Sequence, residues 1–103
     1  LLAVTVPPAK YECVGGHVTL WTAGTLLYQA LLAGFDTRQA RIKTYGYNIS
    51  LIVPREPMAP PIPELRHDCG DLAALRHLLP DGLNWLGPDS FDGRIDSLNW
   101  EDA

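Results

Sequence analysis

Five prolines (Pro54, Pro57, Pro60, Pro61 and Pro63) fall within ten residues, and this stretch constrains the chain more than any other. Proline has no N–H to give to a helix or to a sheet ladder, and its ring fixes φ, so neither a helix nor a central strand can run through it. It reads as a polyproline-like linker or wrapping arm that separates residues 1–55 from 56–103. A chain of 103 residues is too short for two independent cores, and one small domain is the expectation. With 47% hydrophobic residues it is not disordered throughout. Its longest uninterrupted apolar run falls far short of the roughly 20 residues a membrane span needs.

Before the proline arm the pattern is α/β. Residues 1–6, with Leu1, Leu2, Ala3, Val4 and Val6 around a lone Thr5, read as a strand apolar on both faces, of the kind found in a buried parallel sheet. Pro7 and Pro8 end it and open a loop from Ala9 to Trp21. A helix follows from Ala23 to Ala33. Thr22 is placed to cap it, Trp21 to staple against Leu26, and Gly34 to take the left-handed position after its end. Leu26, Leu27, Ala30 and Leu31 supply its core face. Arg41–Tyr47 and Asn48–Val53 then read as two strands joined by a tight turn at Gly46, the first with one solvated face and the second more deeply buried. Strand, crossover helix and strand pair make an α/β unit with the helix on one face of the sheet.

After the arm, an acidic start at Asp68 or Asp71 and a Leu72, Leu75, Leu78 stripe predict a short helix to Leu79, ended by Pro80. The remainder carries Trp85, Leu86, Phe91, Ile95, Leu98 and Trp100 among Gly, Pro and Asp, and is expected to dock rather than float.

The net charge of −4 is unevenly spread: residues 1–55 hold five basic and two acidic side chains (+3), and residues 56–103 three basic and ten acidic (−7). Without clustered Lys and Arg, neither nucleic acid nor an anionic membrane is an expected partner. Two distant cysteines, Cys13 and Cys69, resemble a reducing, cytoplasmic setting more than a disulfide scaffold. The chain opens on Leu1 and holds its only Met at position 58, and Leu1–Val6 has neither a basic stretch before it nor a cleavage signal after it. The expectation is a core strand cut at its start, not a signal peptide.

The words within these elements add a resemblance. The strand with its terminal prolines, then Gly15-Gly16-His17-Val18-Thr19-Leu20-Trp21-Thr22, then a Leu-rich helix ending Ala33-Gly34-Phe35, then the pair Arg41 to Val53, resembles the C-terminal part of class I S-adenosylmethionine-dependent methyltransferases. It covers residues 1 to about 55. Residues 56–103 look like an added extension: Pro-rich arm, short helix and aromatic tail. The resemblance implies a partial Rossmann-like sheet, with a terminal antiparallel strand pair, and transfer of a methyl group from S-adenosylmethionine to an acceptor the residues do not disclose. The family's Gly-rich cofactor turn and the acidic end of its next strand are not in this sequence, and Gly15-Gly16 is no substitute, so no cofactor-binding residue is assigned. That half is expected upstream, and residues 1–103 alone are expected to bind the cofactor poorly and not to turn over.

What the resemblance does place here is the acceptor side. Ligands of open α/β sheets sit beyond the carboxyl ends of the strands, and the loop after residues 1–6 leaves from such an end. Tyr11, Glu12 and His17 in that loop are the residues expected to contact the acceptor, with His17 able to take a proton from a hydroxyl or amine. The same His17 reads also, and in preference, as a side chain pinning the loop by hydrogen bonds to backbone. Cys13-x3-His17 with His67-x-Cys69 offers zinc-type ligands at spacings that match no usual pair, and no metal is expected. The sequon Asn48-Ile49-Ser50 lies in a strand and is discounted, and Asp89, Asp92 and Asp96 are too irregular for a calcium loop and read as a solvated acidic face. The rival class is a non-enzymatic α/β module that binds a protein through the proline arm and aromatic tail. A severed sheet would leave the edge of residues 1–6 unpaired and apolar and favour self-association, whereas a stand-alone module is expected to be soluble and monodisperse.

Overall fold

The computed structural model describes residues 2–8, 15, 21–46, 48–54, 62–66 and 70–100. In chain order these form β1 (Leu2–Val6), α1 (Ala23–Leu32), β2 (Arg41–Tyr45), β3 (Asn48–Val53), α2 (Asp71–Leu75) with a 3-10 turn at Arg76–Leu78, then β4 (Trp85–Gly87), β5 (Ser90–Phe91) and β6 (Ser97–Leu98). One sheet has the order β1-β3-β2-β6, and β4 and β5 pair separately. Among the described residues no helix is long and apolar enough to cross a membrane.

The start and stop of α1 follow from its flanking residues. Thr22 Oγ1 accepts from the Thr25 N–H at 3.0 Å while the Thr22 N–H donates to Thr25 Oγ1 at 2.9 Å, a capping box built from two threonines. At the other end Gly34 takes φ +97, its N–H donates to Leu31 O, and the Phe35 N–H reaches back to Ala30 O. That pair of bonds is a Schellman motif, as Ala33-Gly34-Phe35 predicts. The core side of α1 buries Ala23, Leu26, Leu27 and Leu31.

β2 and β3 form a hairpin through Gly46, at φ +53, with Tyr45 opposite Asn48. β1 also runs antiparallel to β3, with Val4 opposite Leu51. β1 and β2 are therefore parallel to each other with β3 between them, a split β-α-β unit with α1 as its crossover. The expectation of a buried parallel sheet for residues 1–6 is corrected here: β1 lies at the edge of an antiparallel sheet, half-buried at Leu2, Val4 and Val6 and exposed at Ala3 and Thr5. A short apolar run does not distinguish a strand covered on both faces from one covered on a single face, because Ala and Thr are tolerated on either. The inner face gathers Ile42, Ile49, Leu51 and Val53 beneath α1. On the outer face the buried Ser50 has its Oγ 3.1 Å from Thr5 Oγ1 and 2.8 Å from the Tyr45 hydroxyl.

Residues beyond the proline arm complete this same core. Leu75, Leu78 and Leu79 are buried in one cluster with Leu27, Leu31 and Ile42. Thr37, fully buried, donates its hydroxyl to Leu78 O at 3.0 Å and so ties the α1–β2 connection to the 3-10 turn. The helix expected to reach Leu79 is α-helical only to Leu75 and tightens before Pro80. Asp89, from the turn between β4 and β5, accepts from the backbone N–H groups of Gly70 and Ala73 and caps α2 from outside it. The expected docking of the aromatic tail takes a definite form: Trp85 and Phe91 meet edge to face with centroids 5.3 Å apart, and the Arg76 guanidinium sits 4.5 Å over the Trp85 ring. β6 extends the sheet beyond β2, pairing Leu98 with Ile42, and the Asn99 side-chain amide donates to Ala40 O.

Candidate functional site

The split β-α-β unit brings the carboxyl ends of β1 and β2, the first residues of β3 and the first turn of α1 to one end of the sheet. A cavity of about 300 Å³ lies there, with Pro8, Trp21, Thr22, Ala23, Thr44 and Ile49 in its wall. Pro8 and Trp21 form a parallel bridge, so the connection 9–20 leaves and rejoins the fold at the cavity rim. Tyr11, Glu12 and His17 belong to that connection and lie outside the described residues, as do Cys13, His67 and Cys69. The structure fixes the two ends of the loop that carries them.

The remaining wall comes from a segment that sequence reasoning did not attach to the site. Gly93, Arg94, Ile95 and Asp96 close the cavity from the C-terminal side. Gly93 O accepts the Gly24 N–H at 2.9 Å, Ile95 O accepts the Thr44 hydroxyl at 2.7 Å, and Asp96 O accepts the Thr44 N–H at 2.9 Å. Asp92 turns the chain into this segment: its carboxylate accepts the Arg94 N–H at 2.9 Å and grips the guanidinium at 3.1 and 3.2 Å. The side-chain hydrogen bond from Arg94 is the main cause that holds the Asp92 carboxyl below the usual carboxylate range. Of the acidic trio read as a solvated face, Asp89 and Asp92 are only half-exposed and bind backbone N–H groups. The signal for this was present in Asp92-Gly93, a turn pair ahead of an apolar Ile95.

The polar groups around the cavity are largely committed to the fold. At the amino end of α1, the N–H groups of Gly24, Thr25 and Leu26 are taken by Gly93 O, Thr22 Oγ1 and Thr22 O. An anion could reach those donors only by displacing the tail segment or the Thr22 cap. What the described residues offer is an apolar recess.

No family model, no curated protein and no solved structure matches the chain.

Proposed function

We propose that residues 1–55 are the acceptor-side, C-terminal part of a class I S-adenosylmethionine-dependent methyltransferase with a Rossmann-like sheet, cytoplasmic, its cofactor-binding half upstream. The observation that carries this reading is the Pro8–Trp21 bridge, which brings the two residues that flank the stretch holding Tyr11, Glu12 and His17 in sequence together at the carboxyl end of β1, beside a cavity. S-adenosylmethionine, when bound, supplies an electrophilic methyl group. Tyr11 and Glu12 hold the acceptor in line for it, and His17 takes the proton that a hydroxyl or amine acceptor sheds. No residue of this chain is assigned to the cofactor, and residues 1–103 alone are expected to be inactive.

The test is to read the coding sequence on the 5′ side of the Leu1 codon, express the whole frame, and titrate it with S-adenosylmethionine by calorimetry. A frame that carries a Gly-rich turn and an acidic strand end, and binds the cofactor stoichiometrically, supports the reading. A frame that begins at Leu1, or one that does not bind, overturns it.

A second reading, a non-enzymatic interaction module, is favoured by β1: among the described residues no strand lies on its outer edge, and the strand itself carries neither charge nor proline. Self-association through that edge would appear as a concentration-dependent dimer in light scattering. A monomer at all concentrations would remove it.

A further inference from the structure

We infer that the cavity between the first turn of α1 and the segment Gly93–Asp96 is a binding site for a small uncharged, apolar ring compound. This goes beyond methyl transfer and does not depend on it. The volume of about 300 Å³ stands at the lower end of small-molecule sites, which run from about 300 to 1,000 Å³. It is also roughly twice the ~150 Å³ apolar cavity that takes benzene, which sets a fused two-ring molecule as the natural occupant.

The chemistry of the wall decides the class. Pro8, Trp21, Ala23, Ile49 and Ile95 present hydrocarbon and one indole. Among the described residues, the polar groups of the wall other than the Asp96 carboxylate have internal partners. The Thr44 hydroxyl donates to Ile95 O, the Thr22 hydroxyl caps α1, the Gly24 N–H is held by Gly93 O, and Arg94 is held by Asp92. A charged ligand would lose hydration on entering; among the described residues the Asp96 carboxylate is the one charge of the wall outside the Asp92–Arg94 pair, and being exposed to solvent it repels anions and returns little to a cation. An uncharged ring loses little hydration and covers the apolar wall.

The experiment is a ¹H–¹⁵N NMR titration of the 103-residue chain with 2-naphthol, and with 2-naphthoate and 2-naphthylmethylammonium as charged counterparts of the same size. The expected result is a saturable shift of the Ala23, Thr44, Ile49 and Ile95 amides by 2-naphthol with a Kd of about 10⁻⁴ M, as ligand-efficiency limits allow for so small a molecule. Binding of either charged probe is expected to be about tenfold weaker or more. Ile95→Trp, which fills the recess, and Trp21→Ala, which removes its aromatic wall, should each weaken 2-naphthol by about tenfold or more. Using both variants, each checked by circular dichroism, guards against one that fails to fold. Absence of saturation, shifts centred elsewhere, equal affinity for a charged probe, or undiminished binding in a folded variant would each overturn the inference. Cofactor titration of the whole frame reads the methyltransferase proposal separately, so the two can fail independently.

Discussion

Gly24 in the first turn of α1 and Gly93 in the C-terminal segment touch backbone to backbone: the Gly24 N–H donates to Gly93 O at 2.9 Å, and a Cβ on Gly24 would lie 2.6 Å from Gly93 Cα. A Cβ on Gly93 would in turn lie 2.7 Å from Thr22 Oγ1, the capping atom of the helix. In an exposed helix Gly→Ala gains about 1 kcal/mol of propensity. Here the sign reverses, because the added methyl must separate two main chains. Gly24→Ala is expected to lower stability by about 1–3 kcal/mol, the usual range for overpacking. Urea unfolding at 25 °C measures it, and a stabilised Gly24→Ala would show that the tail does not sit on α1.

Leu75 tests whether the residues beyond the proline arm belong to the core. It is fully buried in the same cluster as Leu27 and Ile42. Leu75→Ala should lower stability by about 2–5 kcal/mol, as large-to-small changes at closed sites do. It should also shift one transition seen alike by far-UV circular dichroism and by Trp fluorescence. A separate early phase confined to the fluorescence would mean that α2 and the tail unfold on their own.

Thr37 is isosteric with valine but carries the one hydroxyl that reaches Leu78 O from a fully buried position. Thr37→Val removes the donor and leaves a buried carbonyl short of a partner, at a cost of about 1–3 kcal/mol. Thr37→Ser, which keeps the hydroxyl, should recover part of that loss in the same unfolding assay.

How much of this was legible in the sequence depends on how local the determining physics is. Thr22, Gly34 and Gly46 act within a few residues of themselves, so cap, helix end and hairpin turn could be read directly. The pairing partner of β1 could not: Leu2, Val4 and Val6 specify an apolar face, while the choice between parallel and antiparallel neighbours is made by β3, more than forty residues away. The tail was legible as a segment that docks, through Phe91 and Ile95, but not as a wall of the cavity. That placement rests on two glycines and on backbone carbonyls, which carry no side-chain signature.

Asp89 gives α2 a pH dependence. Backbone N–H bonds from Gly70 and Ala73 are the leading causes that hold its carboxyl below the usual value of about 3.9. A carboxyl whose folded pKa is lowered stabilises the fold above its unfolded pKa, and that contribution is lost as pH falls through the folded value. Asp89→Ala should therefore melt below the parent protein at pH 7, and the gap should narrow as pH is taken below about 4. Thermal melts across pH 2–7 check this, and a gap independent of pH would assign the effect to packing rather than to the charged cap.

His17 is where the proposed chemistry can be separated from loop architecture. Position 17 lies in sequence between Pro8 and Trp21, which bridge each other, and outside every strand of the sheet. If His17 takes the acceptor proton, His17→Ala in the full-length protein should lower kcat for methyl transfer by about 10²-fold or more, the range of general-base contributions. The Kd for S-adenosylmethionine should stay within about twofold, since the acceptor side alone is altered. The acidic limb of kcat that a general-base imidazole gives should vanish in the variant. A histidine that only ties the loop to its own backbone would leave the pH limb in place, and equal loss of rate and cofactor affinity would remove His17 from the acceptor side.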